Sequence, residues 1–350
     1  MMELANIIEN YQSRFKAKYA DRITRQHVSA LNAVQACQTE RYGKMMLRCE
    51  PCHTQQTRFH SCGHRSCPRC QNHDTSRWLE RQSQKLLPVE YFMVTFTLPY
   101  ELRALTWHHQ TVIYSILFQC AVSTLKDFGI NDKKLGADLG MTTVLHTHSR
   151  RLDYHPHVHI IVPGGCLDQR RRQWRKLRGK YLFNEFSLAK VFRARLLDAL
   201  HVAGFTLPSH IPREWVVDCQ HVGKGLPALK YLSRYLYRGV ISEKNIINDD
   251  GVTITFRYLD SQSGTFKTRS VKGEQFLWLV FQHVLPRGFR RVRDFGFLHG
   301  NAKKTLSFIQ LILKVVLVCN EPRPRPLFKC TQCGGPMSII GFIPPAWRAG

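Results

Sequence analysis

The chain has 350 residues, of which 43% are hydrophobic and 22% are charged, which is the composition of a folded protein with an apolar core. This composition excludes a disordered or fibrous protein, and the length suggests two domains. No uncharged apolar run is long enough to cross a bilayer, and residues 1–10 lack the basic start of a signal peptide. We therefore expect a cytoplasmic protein with no membrane partner.

The charge balance is the first positive indication of function. The 51 Lys and Arg residues outnumber the 25 Asp and Glu residues, and the formal net charge of +26 is spread along the whole chain. Such a surface favours a polyanionic partner, because binding releases the counterions of the polyanion. An anionic membrane surface and a ribosomal role are alternatives, and a chain with a core of this size favours nucleic acid.

Apolar periodicity and turn residues divide the chain into helices and strands. Residues 1–88 form one compositional unit, with helical patterns over Asn6–Cys37 and Thr75–Leu87. A sheet domain is predicted over 89–300, and a last helix with a cysteine-containing tail over 301–350. The later elements are, in chain order, strand Tyr91–Leu98, helix Leu102–Phe128, strands Met141–His148 and His157–Pro163, helix Ser187–Ala203, strand Trp215–Gln220, helix Ala228–Gly239, hairpin Val252–Tyr258 with Thr265–Val271, helix Glu274–His283 and helix Leu306–Val318. Strands interleaved with helices, joined by hairpins as well as crossovers, predict an α+β fold.

Two Cys-x-x-Cys pairs, Cys49/Cys52 and Cys67/Cys70, indicate a zinc ribbon-like module. Each pair can place two thiolates on one tetrahedral ion, and the loop between the pairs is of suitable length to bring both to the same ion. We therefore predict one structural Zn²⁺ bound by these four cysteines. Its closed coordination suits folding and not catalysis.

Further cysteines leave the ligand set open. Cys37 and Cys62 could exchange into this site or build a second one. The C-terminal pair Cys330/Cys333 either forms half of another ribbon or belongs to a tail without metal. Six of the twelve cysteines lie between residues 37 and 70, which favours metal over disulfides in a reducing compartment. The module would present Arg65 and Arg69 to DNA.

The stretch Tyr154–Val162 contains an alternating pair of histidines. His157 and His159 are two apart on a predicted strand, so both side chains leave the same face while Val158 points the other way. Two neighbouring imidazoles can chelate one divalent ion. His155 shares their parity and is either a further ligand or only a neighbour.

A second motif lies on the predicted helix Ala228–Gly239. Tyr231 and Tyr235 are four apart, so both hydroxyls leave one helix face. An aromatic pair at this spacing is often part of a core. However, the adjacent basic residues favour an anionic substrate, and we predict that they contact DNA: Lys230, Arg234 and Arg238.

Together these motifs resemble a known family. The His157-Val-His159 strand, the Val162-Pro-Gly-Gly turn and the Tyr231-Leu-Ser-Arg-Tyr235 helix are similar to those of the HUH endonucleases. Within them, the chain resembles the two-tyrosine rolling-circle transposases of the insertion-sequence-ninety-one type. The likeness runs in order over residues 30–335 and includes the N-terminal cysteine module.

The resemblance implies an HUH-type antiparallel sheet flanked by helices. It implies that Tyr231 and Tyr235 are nucleophiles and that His157 and His159 bind a catalytic Mg²⁺ or Mn²⁺. The implied partners are the single-stranded or hairpin DNA ends of a mobile element and its target DNA. The resemblance also implies a bacterial, nucleoid-associated protein, and it is compatible with a homo-oligomer. The alternatives are a rolling-circle plasmid replication initiator and a non-catalytic zinc-ribbon DNA-binding protein.

Overall fold

The computed structural model describes residues 3–70, 72–236, 239–260, 262–316 and 328–345. Its helices are α1 Leu4–Lys18, α2 Arg25–Gln35, α3 Asn72–Ser83, α4 Arg103–His108, α5 Gln110–Asn131, α6 Glu185–Val202, α7 Leu226–Leu236, α8 Gly273–Phe281 and α9 Lys303–Ile312. Its strands are β1 Lys44–Cys49, β2 Gln55–Phe59, β3 Tyr91–Thr97, β4 Met141–His148, β5 Tyr154–Pro163, β6 Gly165–Asp168, β7 Gln173–Lys176, β8 Val217–His221, β9 Ile246–Asp249, β10 Thr253–Leu259, β11 Phe266–Lys272, β12 Val292–Phe295, β13 Phe328–Lys329 and β14 Pro336–Ile343. The fold is α+β, as predicted.

The chain divides into two compact units. The first comprises residues 1–73, 237–284 and 318–350, and the second comprises residues 74–236 and 285–317. The predicted segments 1–88, 89–300 and 301–350 do not coincide with them, because α8 packs with α1 and α2, and the hairpin β10–β11 packs with α8 in the same unit. No helix of the described ranges is both long and apolar enough to span a membrane.

The first unit is organised around α1. Its buried residues Ile7, Tyr11 and Phe15 recur at helical spacing and pack toward α8. Gly273 begins α8 because a Cβ there would lie 2.1 Å from the ring of Tyr11. Two antiparallel sheets complete the unit, with strand orders β13-β14-β1-β2 and β11-β10-β9.

The helical pattern predicted over Asn6–Cys37 is divided into α1 and α2. The backbone N–H of Thr24 donates to Nδ1 of His27 at 2.9 Å, which is half of a capping box. This cap starts a new helix after the turn that follows Lys18. The predicted helix Leu102–Phe128 is likewise divided, at His109, into α4 and α5.

The second unit contains a five-stranded antiparallel sheet of order β12-β4-β5-β3-β8. One face is apolar: Phe96 and Val158 are buried beneath α5 and α6, and Phe96 contacts Phe192 of α6 with ring centroids 4.8 Å apart. Because side chains alternate along a strand, His157 and His159 on the central strand β5 leave the opposite face. The alternation predicted for this strand is therefore confirmed.

Candidate active site

Three histidines meet on the polar face of the five-stranded sheet. His146 lies on β4 directly opposite His157 of β5, and His159 follows two residues later on β5. One ring nitrogen from each histidine lies within 4.8 Å of the others. The ring centroid of His146 is 5.3 Å from that of His157 and 4.5 Å from that of His159. We call these three residues the histidine cluster.

Neighbouring groups orient two of the three rings. Nδ1 of His157 donates to the backbone carbonyl of His155 at 2.6 Å, so a neutral His157 carries its lone pair on Nε2. Nδ1 of His159 lies 2.9 Å from the hydroxyl of Thr95, its cross-strand partner on β3. Such outer contacts select the ring orientation that a metal ligand needs.

Burial holds the histidine cluster in its neutral form. Desolvation lowers the pKa of His159 to about 4 and lowers the pKa values of His146 and His157 well below the ordinary value. The mutual repulsion of protonated rings lowers the pKa of His146 and His157 further. Neutral imidazoles carry the lone pairs that bind divalent ions, so the three residues fit a metal site.

His155 does not join the cluster, although its parity made it a candidate for a further ligand. Its Nδ1 accepts a hydrogen bond from the guanidinium of Arg103 at 2.5 Å. The third imidazole comes instead from His146, which the sequence reasoning missed. The alternation of His146 and His148 on a predicted strand was the available signal, but it could not indicate which strand lies beside β5.

Helix α7 brings a tyrosine to the histidine cluster. The ring of Tyr231 lies edge-on to that of His159, with centroids 6.2 Å apart. Tyr235 lies on the same helix, one turn later. The side chains of Tyr235 and Arg234, and all of Arg238, lie outside the described residues. The pair of nucleophiles therefore stays a prediction, and Lys230 is exposed on this helix.

The turn before α7 contains two glycines with left-handed backbones. Gly225 has φ of +82° and Gly223 has φ of +66°. A Cβ at residue 225 would lie 2.7 Å from the ring of Tyr91, whereas one at residue 223 would meet no atom within 4 Å. Gly225 thus lets the start of α7 approach β3 closely.

We expect Gly225→Ala to destabilise the protein and to impair any activity that depends on Tyr231. The left-handed backbone costs about 1–2 kcal/mol for a residue with a Cβ, and the overlap with Tyr91 adds about 1–3 kcal/mol. Gly223→Ala is the matched control, because it carries the backbone cost alone. Denaturant unfolding measures both variants, and equal losses of stability would contradict the proposed contact.

The cysteines form two clusters that differ from the predicted grouping. The pairs Cys49/Cys52 and Cys67/Cys70, predicted to bind one ion together, lie in different clusters. Cluster A contains Cys37, Cys62, Cys67 and Cys70. Cluster B contains Cys49, Cys52, Cys330 and Cys333. The correction has a physical reason: β1 pairs with β14, so the knuckle at the end of β1 meets the C-terminal knuckle before β14.

Of the two arginines of this module that were predicted to face DNA, Arg69 is paired within the protein, whereas for Arg65 the contact with DNA stays a prediction. Arg69 forms ion pairs with Glu3 and with Glu243, where Nε lies 3.2 Å from Oε1, and its side chain is only 17% exposed. Both carboxylates lie in the first unit and neutralise the guanidinium there, which argues against a contact between Arg69 and DNA. Arg65 is half-buried, and burial lowers its pKa.

Two family models match the chain. One, described as "Transposase zinc-binding domain", matches residues 7–98, and the other, described as "Putative transposase", matches residues 140–305. The first match contains all of cluster A, and the second contains the histidine cluster and α7. The zinc-binding match and the four-cysteine clusters together support structural Zn²⁺ in this chain.

Individual proteins are also similar. The "Putative transposase y4qJ" of Sinorhizobium fredii (strain NBRC 101917 / NGR234) is 30% identical over 332 residues, which cover 88% of this chain and 83% of that protein. The "Transposase for insertion sequence element IS801" of Pseudomonas savastanoi pv. phaseolicola is 27% identical over 351 residues, covering 90% and 84%. Among solved structures, the conjugative relaxase TrwC in complex with mutant OriT DNA is 16% identical, covers 63% of this chain and 71% of its own, and has a TM-score of 0.28.

Proposed function

Because this chain belongs to the IS91-type transposases with an N-terminal zinc-binding domain, we propose that it nicks and rejoins single-stranded DNA at the ends of an insertion sequence through a 5′-phosphotyrosine intermediate, in rolling-circle transposition. The observation that carries the proposal is the approach of Tyr231 to the histidine cluster, 6.2 Å between the ring centroids of Tyr231 and His159. A nucleophile beside a metal site suits phosphoryl transfer through a covalent intermediate.

His146, His157 and His159 would hold the catalytic ion. A bound Mn²⁺ or Mg²⁺ supplies Lewis acidity that polarises the scissile phosphate and offsets the charge developing on its oxygens. Of the two ions, Mn²⁺ suits this nitrogen-rich set better, because Mg²⁺ prefers oxygen ligands. Thr95 and the carbonyl of His155 keep two of the rings in the orientation that exposes their remaining nitrogens.

Tyr231 or Tyr235 would attack the phosphorus with its phenolic oxygen. The new bond joins that oxygen to the 5′ phosphate, the phenolic proton is released, and the departing 3′ oxygen leaves as a hydroxyl after taking a proton. The phosphodiester energy is kept in the covalent link, so a 3′-OH can reverse the step and join strands without ATP. Two tyrosines on one helix would permit two successive transfers.

DNA is the partner that the net charge of +26 favours. On α7, the exposed Lys230 lies next to Tyr231 in sequence and would contact a phosphate near the cleaved bond. Arg69 is removed from the proposed DNA contacts, because its two carboxylate partners already neutralise it. Arg65, Arg234 and Arg238 are still proposed to contact DNA.

We expect the full chain, incubated with labelled single-stranded element ends and Mn²⁺, to form a covalent protein–DNA adduct that survives denaturing electrophoresis. Chelation with EDTA should prevent the adduct, because the phosphate then lacks its electrophilic partner. Binding without any adduct, in Mn²⁺ or Mg²⁺, would favour a non-catalytic DNA-binding protein. Adduct formation on a plasmid origin but not on element ends would favour a replication initiator.

A further inference from the structure

Two turns far apart in sequence have the same backbone hydrogen bonds. In the first, the N–H of His53 donates to the carbonyl of Cys49 at 3.0 Å, and the N–H of Cys49 donates to the carbonyl of Thr54 at 2.9 Å. In the second, the N–H of Gly334 donates to the carbonyl of Cys330 at 3.0 Å, and the N–H of Cys330 donates to the carbonyl of Gly335 at 2.9 Å. The two Cys-x-x-Cys turns are therefore copies of one conformation.

The residue after each turn also adopts the same backbone region. His53 has φ of +58° and Gly334 has φ of +72°. Glycine adopts this conformation without penalty, whereas a histidine there costs about 1–2 kcal/mol. The chain accepts this cost at His53, which indicates that the geometry of the turn, with both sulfurs on one side, is itself required.

The sulfurs of cluster B lie at the corners expected around a tetrahedral zinc ion. Sγ of Cys49 is 3.4 Å from Sγ of Cys333, and Sγ of Cys52 is 3.4 Å from that of Cys333 and 3.7 Å from that of Cys330. Four sulfurs at about 2.3 Å from one ion are separated by about 3.8 Å. A disulfide would require about 2.05 Å between two of them.

Neighbouring donors support thiolates at this place. The backbone N–H of Gln332 lies 3.4 Å from Sγ of Cys330, and the side-chain amide of Gln56 lies 3.9 Å from the same sulfur. Cys49 and Cys330 are buried together with Leu47 and Met337, so the sulfurs are partly shielded from water. Thiolates shielded in this way need an opposite charge, which a divalent ion supplies.

We propose that cluster B binds a second structural Zn²⁺, distinct from the ion of cluster A. Its ligands join the β1–β2 turn to the β13–β14 turn, across 278 residues between Cys52 and Cys330. Half of the site lies outside both matched family segments, residues 7–98 and 140–305. The ion would fix β14 onto β1, so that one zinc site joins residues 49–52 to residues 330–333.

The test is the zinc content of the full chain, purified under reducing conditions and measured by elemental analysis. We expect about two equivalents for the wild type, one for each four-cysteine cluster. Cys330→Ser with Cys333→Ser should retain about one, and Cys37→Ser with Cys62→Ser should also retain about one, because each pair removes a different site. Cys219→Ser is the matched control and should retain two, since Cys219 belongs to neither cluster.

Two results would overturn the proposal. In the first, the wild type contains about one equivalent of zinc, and only the Cys37/Cys62 variant loses it. In the second, a folded Cys330/Cys333 variant keeps the full zinc content of the wild type. If that variant is insoluble, Cys333→His with Co²⁺ in place of Zn²⁺ replaces it. One thiolate then becomes an imidazole at one site, so the sulfur-to-cobalt absorption per chain should fall by about one eighth of the wild-type value, one ligand of two four-thiolate sites. An unchanged cobalt spectrum would equally overturn it.

Discussion

The double variant Tyr231→Phe with Tyr235→Phe is expected to form no covalent adduct with single-stranded DNA. A phenyl ring fills nearly the same volume as a phenol, so the helix should keep its packing while both attacking oxygens are lost. Each single variant should still form an adduct, because one hydroxyl remains within reach, yet neither should complete transposition in cells. Denaturing electrophoresis with labelled DNA ends measures the first result.

Peptide mapping of the trapped adducts provides the sharper test. Label should be found on Tyr231 in the Tyr235→Phe variant and on Tyr235 in the Tyr231→Phe variant. Tyr258→Phe is the control, because Tyr258 lies on β10 in the other compact unit. The Tyr258→Phe protein should form adducts at the wild-type rate. Label on Tyr237, or on one tyrosine under every condition, would reduce the mechanism to a single nucleophile.

The second large effect is expected for the histidine cluster. His146→Ala should lower the nicking rate in Mn²⁺ by about 10²- to 10³-fold, the loss typical of removing one group that stabilises transition-state charge. The double variant His157→Ala with His159→Ala should abolish nicking. Circular dichroism should report a folded chain in both cases, and DNA binding should persist, because basic residues elsewhere supply it.

The matched control is His155→Ala. His155 lies on the same strand and shares the parity of His157, but its Nδ1 accepts from Arg103 and it stands outside the cluster. We expect its variant to lose far less activity than His146→Ala. The reverse order, with His146→Ala nicking at the wild-type rate, would show that the third ligand was assigned to the wrong residue.

Local chemistry made much of this protein predictable from its sequence. The strands β3, β4 and β5 follow β-branched and aromatic runs, and the face of His157 and His159 follows from alternation along one strand. Tyr231 and Tyr235 both lie on α7, and the spacing of four residues between them is the spacing at which residues become neighbours on a helix. Each of these features depends on residues close in the chain, so the sequence carries it directly.

Strand pairing decided what the sequence left open. His146 becomes a neighbour of His157 only because β4 lies beside β5 with those residues in register. The strands β1, β2 and β14 were missed, since their exposed and mixed residues lack a clear alternating pattern: Gln55, Arg58, Ser338 and Ile340 among them. Without these strands, the sequence did not indicate that residues 44–59 and 328–343 share a sheet.

The sequence by itself determined the zinc knuckles, the histidine face and the tyrosine helix, whereas the tertiary structure alone decided which knuckles meet. Cys330 is 278 residues from Cys52, whereas Cys67 is 15 residues from it (67 minus 52). Closing the longer loop costs only about 3 kcal/mol more free energy than closing the shorter one, because the entropy of loop closure grows with the logarithm of loop length. The six-residue pairing of β1 with β14 offsets that difference. Sequence proximity was therefore a weak guide to the ligand set, and the sheet selected the distant pair.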